Sequence, residues 1–277
     1  MAMTSRMDVV SIPRGDDHRP ALLHRAGDVG AVDVVVNLHG NPGSPLSPSS
    51  PLVDALLPDG IDVLRFNYSG LWGNPGTFSA SSALDDVAAV LDFVGSEAAR
   101  ERYRLAPERI HLVGYAFGAA IALVTAREDE RVHGAVALAP CDHGLYGRQF
   151  ADPASPRHAY LQSLLEEIFG EDRPVDQDPS IFRDDLIAQA DRLAFDADPG
   201  RLTDARLLLL GALDDATCGI EEHLLPLYRE LRRRGHLKLE AEVFTCGHSF
   251  ADVRPLVYAR IAQWVTEGRP TSKARRT

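Results

Sequence analysis

Apolar residues along this chain fall into two rhythms that take turns. Short apolar-rich runs occur at Val32–Leu38, Asp62–Asn67, Ile110–Val113, Val132–Ala139, Arg206–Gly211 and Leu237–Phe244. Runs of this length, several without any polar alternation, predict strands buried on both faces. Between them, apolar residues recur at spacings of three and four, the period of a helix with one buried stripe. Such stretches are Pro51–Leu57, Ser82 to about Arg100, Phe117–Ala126, Glu221–Arg234 and Pro255–Glu267. In the second of them the stripe is Leu84, Val87, Ala88, Leu91 and Val94, and Ser82 with Asp85 resembles a capping box at its start. Asp8–Pro13 and Pro20–Arg25 are expected as two early strands. Regular alternation of strand and helix predicts an α/β fold, a doubly wound and mostly parallel sheet with helices on both faces.

The alternation lapses over residues 141–205, which are rich in Asp, Pro and Arg. Helical patches appear there at Tyr160–Phe169 and Ile181–Leu193, and no strand. The stretch is too long for a plain connection. It is expected to be a helical cap inserted into a core formed by residues 8–140 and 206–268, with 1–7 and 269–277 as frayed ends.

Glycine and proline mark where the strands stop. His39-Gly40-Asn41-Pro42-Gly43 ends one strand, and the loop 68–78 with Trp72 follows the next. Gly114-Tyr115-Ala116-Phe117-Gly118 joins a buried strand to a helix through a turn too tight for side chains at its glycines. That is the layout of a nucleophile elbow, which presents one reactive side chain at the head of a helix. The chemistry asks for Ser, Cys or Asp at the apex, and this chain has Ala116. Gly211-Ala212-Leu213-Asp214 follows the penultimate strand, and Gly247-His248 follows the last.

Four such stretches, in this order and each just past a strand, resemble the α/β-hydrolase superfamily, in particular its serine esterase- and peptidase-like members. The resemblance implies hydrolysis or transfer of an ester, thioester or amide through a Ser-His-Asp type mechanism. Ala116 would hold the nucleophile position, His248 would be the base and Asp214 its acid, with Asp215 taking that place if the strand end shifts by one residue. The backbone N–H groups of Asn41 and Phe117 would form the oxyanion hole. His39, Trp72, Tyr115 and His143 are candidate pocket residues, although His39 fits a turn-supporting hydrogen bond better. Tyr146, Phe150, Tyr160 and Phe169 would pack the cap or line an acyl pocket. Ser69-Gly70 departs from the Arg-Gly pair that many such members carry. The resemblance implies no metal or organic cofactor, and a small-molecule acyl substrate as partner.

Ala116 leaves three accounts of the chemistry. In the first, a serine hydrolase has had its nucleophile changed to alanine, deliberately, and is impaired as it stands. In the second, alanine is native and the His–Asp pair performs general-base chemistry as a lyase, a cyclase or a water-directed hydrolase. In the third, the pocket only binds. Composition narrows the partners. A net charge of −11 disfavours nucleic acid and anionic membrane surfaces. No apolar run approaches the roughly 18 residues of a spanning helix, and no signal-peptide pattern opens the chain. Cys141, Cys218 and Cys246 are odd in number and lack CxxC spacing, which predicts neither a disulfide framework nor a zinc site and points to a reducing cytoplasm.

Overall fold

A computed structural model describes residues 6–27, 30–197, 200–267 and 269. The chain opens with β1 (Arg6–Arg14), β2 (Asp17–Arg25) and β3 (Asp33–Leu38), followed by α1 (Pro51–Leu56) and β4 (Ile61–Phe66). Two helices, α2 (Ala80–Gly95) and α3 (Glu97–Tyr103), lead to β5 (Arg109–Tyr115), α4 (Phe117–Glu128) and β6 (Val132–Leu138). Four helices then precede the next strand: α5 (His143–Ala151), α6 (His158–Ile168), α7 (Pro179–Ala188) and α8 (Ala190–Leu193). The chain closes with β7 (Arg206–Ala212), α9 (Leu224–Arg233), β8 (Leu239–Phe244) and α10 (Arg254–Glu267).

The strands form one eight-stranded sheet in the order β1-β2-β4-β3-β5-β6-β7-β8. β1 and β2 join antiparallel at one edge, and from β4 to β8 every pairing is parallel. Side chains along a strand alternate between the two faces. In β3, Val34, Val36 and Leu38 enter one apolar cluster while Val35 enters the other. In β7, Leu207 and Leu209 go one way and Leu208 and Leu210 the other. Both faces are covered, which is why these strands read as unbroken apolar runs. α1 and α10 pack against each other over one face, through Leu52, Leu56, Val257 and Ile261 among others. α2, α4 and α9 lie against the opposite face.

Three local expectations are corrected. The long helix starts at Ser79, not Ser82: the Ser79 side chain accepts from the Ser82 N–H, and Ser82 Oγ accepts from the Ser79 N–H. Ser96 then ends it and caps α3, so one predicted helix is two. The ends assigned as frayed are ordered in part. Arg6 and Met7 belong to β1, and Arg269 Nε reaches Asp33 Oδ2 at 2.7 Å. The remainder of those two segments lies outside the described residues.

Candidate active site

The chain runs from β3 outward to β4 and returns to β5 on the other side of β3. The ends of β3 and β5 therefore flank a switch in strand order, where open parallel sheets leave a crevice. Both predicted turns meet there. Gly118, on the first turn of α4, lies so close to the Leu38 and His39 carbonyls that a Cβ would collide with backbone. Gly114 is pressed in the same way against Gly118. These two contacts explain why the turn needs glycine on either side of Ala116.

Ala116 caps α4 with φ 50° and ψ −109°. That region is unfavourable for a residue with a Cβ, at a cost of order 1–3 kcal/mol. Its N–H is tied to the Leu138 carbonyl at 2.9 Å, which anchors the strained residue to the end of β6. Ala116 is buried, with 8% of its surface exposed.

The last two strands bring in Asp214, Asp215 and His248. Leu213 N–H donates to the Phe244 carbonyl and Asp214 N–H to the Cys246 carbonyl, which zips the loop after β7 to the loop after β8. In this register Asp214 points to solvent and Asp215 points inward. His248 Nδ1 donates to Asp215 Oδ2 at 2.7 Å. The partner of His248 is thus Asp215, not Asp214, because the strand end reaches one residue further than the apolar run suggests.

Asp215 Oδ1 accepts from the backbone N–H groups of Thr217 and Cys218 at 2.9 and 2.8 Å. Burial alone would raise the Asp215 pKa, but the bond from His248 and these two N–H groups outweigh it and hold the carboxyl below its ordinary value. With Nδ1 donating to a carboxylate, His248 keeps the lone pair of Nε2 for a proton. The His248 side chain is one quarter exposed, and its ring lies 5.1 Å from that of Tyr115.

The N–H groups of Asn41 and Phe117 donate to no protein acceptor among the described residues. Phe117 is the first residue of α4, so its N–H points out of the positive end of a helix. The Asn41 turn is braced from both sides. His39 Nδ1 donates to the Gly40 carbonyl at 2.7 Å, and burial pushes the His39 pKa down to about 4, partly offset by that bond. Trp72 Nε1 donates to the Pro42 carbonyl at 3.0 Å.

Two cavities flank this ledge. One, of about 270 Å³, has Ala116, Phe117 and His248 at its base and is walled by the apolar side chains of α6 and α7, including Leu161, Leu165 and Phe182. His143 lines it, with Nδ1 donating to the Cys141 carbonyl at 2.9 Å. Tyr146 and Phe150 line it too, whereas Phe169 is buried against Phe78 and Phe182 and Tyr160 is exposed. The second cavity, of about 430 Å³, opens on the other side of Asn41 and is lined by His39 and Tyr115. Trp72 lines neither. It braces the turn instead of facing a ligand.

Two features lay outside the sequence reading. Cys141 and Cys218 form a disulfide across 77 positions, with Cα atoms 5.2 Å apart. The cysteine count could not reveal it, because the pair is made by β6 and β7 lying side by side and ending together. It departs from the expectation drawn from the cysteine count, and Cys246 is left as a buried free thiol. The second is the Ser69 site: Ser69 donates to a buried Asp86, and Arg19 donates to Ser69. Arg14 also pairs with Asp86, so arginines from β1 and β2 supply cationic partners beside Ser69-Gly70.

Among the described residues, one set of metal-type donors converges, Asp215, Cys218 and His248, within 4.8 Å of one another. Cys218 is held in the disulfide and the other two in their own hydrogen bond, a donor set unsuited to a metal. No described helix is long and apolar enough to cross a membrane.

The sequence matches the alpha/beta hydrolase family over residues 35–261, and the chain belongs to that family. An esterase of Pyrobaculum calidifontis superposes with a TM-score of 0.67 at 18% identity, over 95% of this chain and 85% of that one. An esterase of Pyrococcus furiosus gives 0.65 at 19% identity, over 95% and 91%. An acylaminoacyl peptidase of Pyrococcus horikoshii gives 0.65 at 14%, over 95% of this chain and 41% of that one. These are likenesses of fold. The uncharacterized protein YfhR of Salmonella typhimurium is 35% identical over 88 residues, 32% of this chain and 28% of its own length.

Proposed function

We propose that the chain is a carboxylic-ester or amide hydrolase of the Ser-His-Asp type whose nucleophile position holds alanine, and that it binds acyl substrates without turning them over. The observation that carries this reading is His248, held by Asp215, lining the same cavity as a strained residue 116, beside two N–H groups without acceptors among the described residues. An alanine gains nothing from φ 50°, whereas a nucleophile is aimed by it. In this reading a hydroxyl at position 116 would give its proton to His248 Nε2 as its oxygen attacks the carbonyl carbon. The Asn41 and Phe117 N–H groups would receive the oxyanion, and His248 would return the proton to the leaving group as the bond breaks. Water would then release the acyl group by the same steps. The helices α5–α8 would act as a lid that selects the acyl chain.

The test is Ala116→Ser measured beside the chain as it stands, on p-nitrophenyl acetate and hexanoate. The serine form is expected to exceed the alanine form by at least 10³-fold, the scale on which loss of a nucleophile acts. It should also label at residue 116 with a fluorophosphonate. If serine adds nothing, the reading fails. Turnover by the alanine form that disappears in His248→Ala would point instead to general-base chemistry by the Asp215–His248 pair.

A further inference from the structure

The cavity on the far side of Asn41 is the larger of the two at the ledge, and its lining has a distinctive charge. It contains Arg254 and no Asp or Glu. In a chain of net charge −11, most arginines sit in ion pairs, and Arg254 makes none among the described residues. Its protein contact is a long hydrogen bond from Nη2 to the Ser249 carbonyl at 3.3 Å. Asp252, two residues earlier, makes no ion pair with it among the described residues.

Arg254 also stands where its charge is locally unfavourable. It is the first residue of α10, whose N-terminal turn carries no acidic residue, so a cation is added to the positive end of a helix. A second arginine with no carboxylate partner among the described residues, Arg65, stands close enough to act electrostatically on two residues that line the cavity. Its Nη1 donates to the Ser47 carbonyl at 2.6 Å, and its charge acts on both His39 and Tyr258. Tyr115 and Tyr258 line the cavity, and their hydroxyls donate to no protein acceptor among the described residues.

We propose that this cavity is the leaving-group site and that it holds a carboxylate, taken by the Arg254 guanidinium with the Tyr115 and Tyr258 hydroxyls as further donors. A planar guanidinium matches a carboxylate with two parallel hydrogen bonds. The proposal rests on the hydrolase reading for the word leaving-group. Tyr115 and Ser249 each adjoin a member of the ledge, Ala116 and His248, and both line this cavity, while the acyl side is apolar. The substrate class is then an acylated hydroxy acid or amino acid, with its acyl chain under α6 and α7 and its free carboxylate at Arg254.

The experiment has a binding arm and a turnover arm. Calorimetry on the Ala116 chain compares O-hexanoyl-lactate with its neutral methyl ester, in the unaltered chain, Arg254→Gln and Arg254→Lys. The carboxylate is expected to bind at least tenfold more tightly than the methyl ester. Arg254→Gln should erase that preference, bringing the affinities for the two probes together, and Arg254→Lys should restore part of it. Arg254 makes so little contact with the fold that unchanged thermal unfolding is expected in both variants. Equal binding of the two probes, binding of neither, or a preference that survives Arg254→Gln would overturn the proposal. So would displacement of hexanoyl-lactate by inorganic phosphate at lower concentration than by lactate, which would make it a phosphate site. In the turnover arm, Ala116→Ser is assayed on p-nitrophenyl hexanoate. Activity there with no carboxylate preference defeats the anion site alone. Arg254-dependent carboxylate binding with no activity defeats the hydrolase reading alone.

Discussion

Asp214 and Asp215 are neighbours of one chemical kind, and the sheet separates them completely. One meets water, and the other is buried with His248 on one oxygen and two backbone N–H groups on the other. A dry, aimed carboxylate fixes the imidazole tautomer and stabilises its protonated form, which a solvated one cannot do. In the Ala116→Ser background, Asp215→Asn is therefore expected to lower kcat by about 10²–10⁴-fold. Asp214→Asn should stay within about twofold. Steady-state rates on p-nitrophenyl hexanoate measure both, and an equal loss from the two changes would contradict the assignment. The sequence carried the choice only as far as this pair. Strand ends shift by a residue or two against any apolar pattern, and a one-residue shift here reverses which side chain faces inward.

At the scale of elements, the Cys141–Cys218 bridge fastens the segment before α5 to the loop that carries Asp215. Cys218 offers its N–H to Asp215, and Cys141 offers its carbonyl to His143. Loop-entropy reasoning for a bridge across 77 positions gives about 4.5 kcal/mol, and measured bridges usually deliver less. Reduction by a dithiol, which is oxidised as the two thiols form, is expected to lower Tm by at least about 5 °C. It should also slow the Ala116→Ser form several-fold as the Asp215 loop loosens. The paired Cys141→Ser and Cys218→Ser variant should behave like the reduced protein and no longer respond to dithiothreitol. Unchanged Tm and rate on reduction would mean the bridge constrains nothing.

Comparison of α5 with the strands shows why some elements were legible and others not. Strands β3 and β7 declare themselves because both faces are buried. α5 does not, since Gly144 and Gly147 look like breaks in its pattern. Both glycines are there because the helix lies directly on backbone: a side chain on Gly144 would strike Ala190 and Ala194, and one on Gly147 would strike Leu186. Close helix packing and helix breaking leave the same mark in a sequence.

At the scale of the molecule, two cavities lie on either side of Asn41, and His248 lines the apolar one. Holding the apolar side together depends on histidines that stay neutral. Burial pushes the pKa values of His143 and His223 down to about 4 each, against the smaller opposing pull of the Cys141 carbonyl on the first and of Glu222 on the second. His223 is further fixed as a neutral ring, because its Nδ1 accepts the Asp142 N–H at 3.0 Å. Above about pH 6.5 both rings are neutral whether the chain is folded or not, and neither contributes a pH dependence. Between pH 6.5 and about 4 the unfolded chain takes up protons that the folded one refuses, so stability falls with pH. At pH 5 this amounts to about 2 kcal/mol for each ring. Burial raises the pKa values of Asp62 and Asp142, and these two work in the opposite sense at lower pH. Urea unfolding at pH 7.5, 6.0 and 5.0 should show the midpoint falling over this range. In His143→Gln the loss of stability between pH 7.5 and 5.0 should be smaller by about 2 kcal/mol, whatever that change does to stability at pH 7.5, while His39, His133 and His223 continue to contribute in the same sense. A midpoint flat from pH 7.5 to 5.0 would mean that solvent reaches the rings, and that the apolar wall beside Ala116 is not sealed.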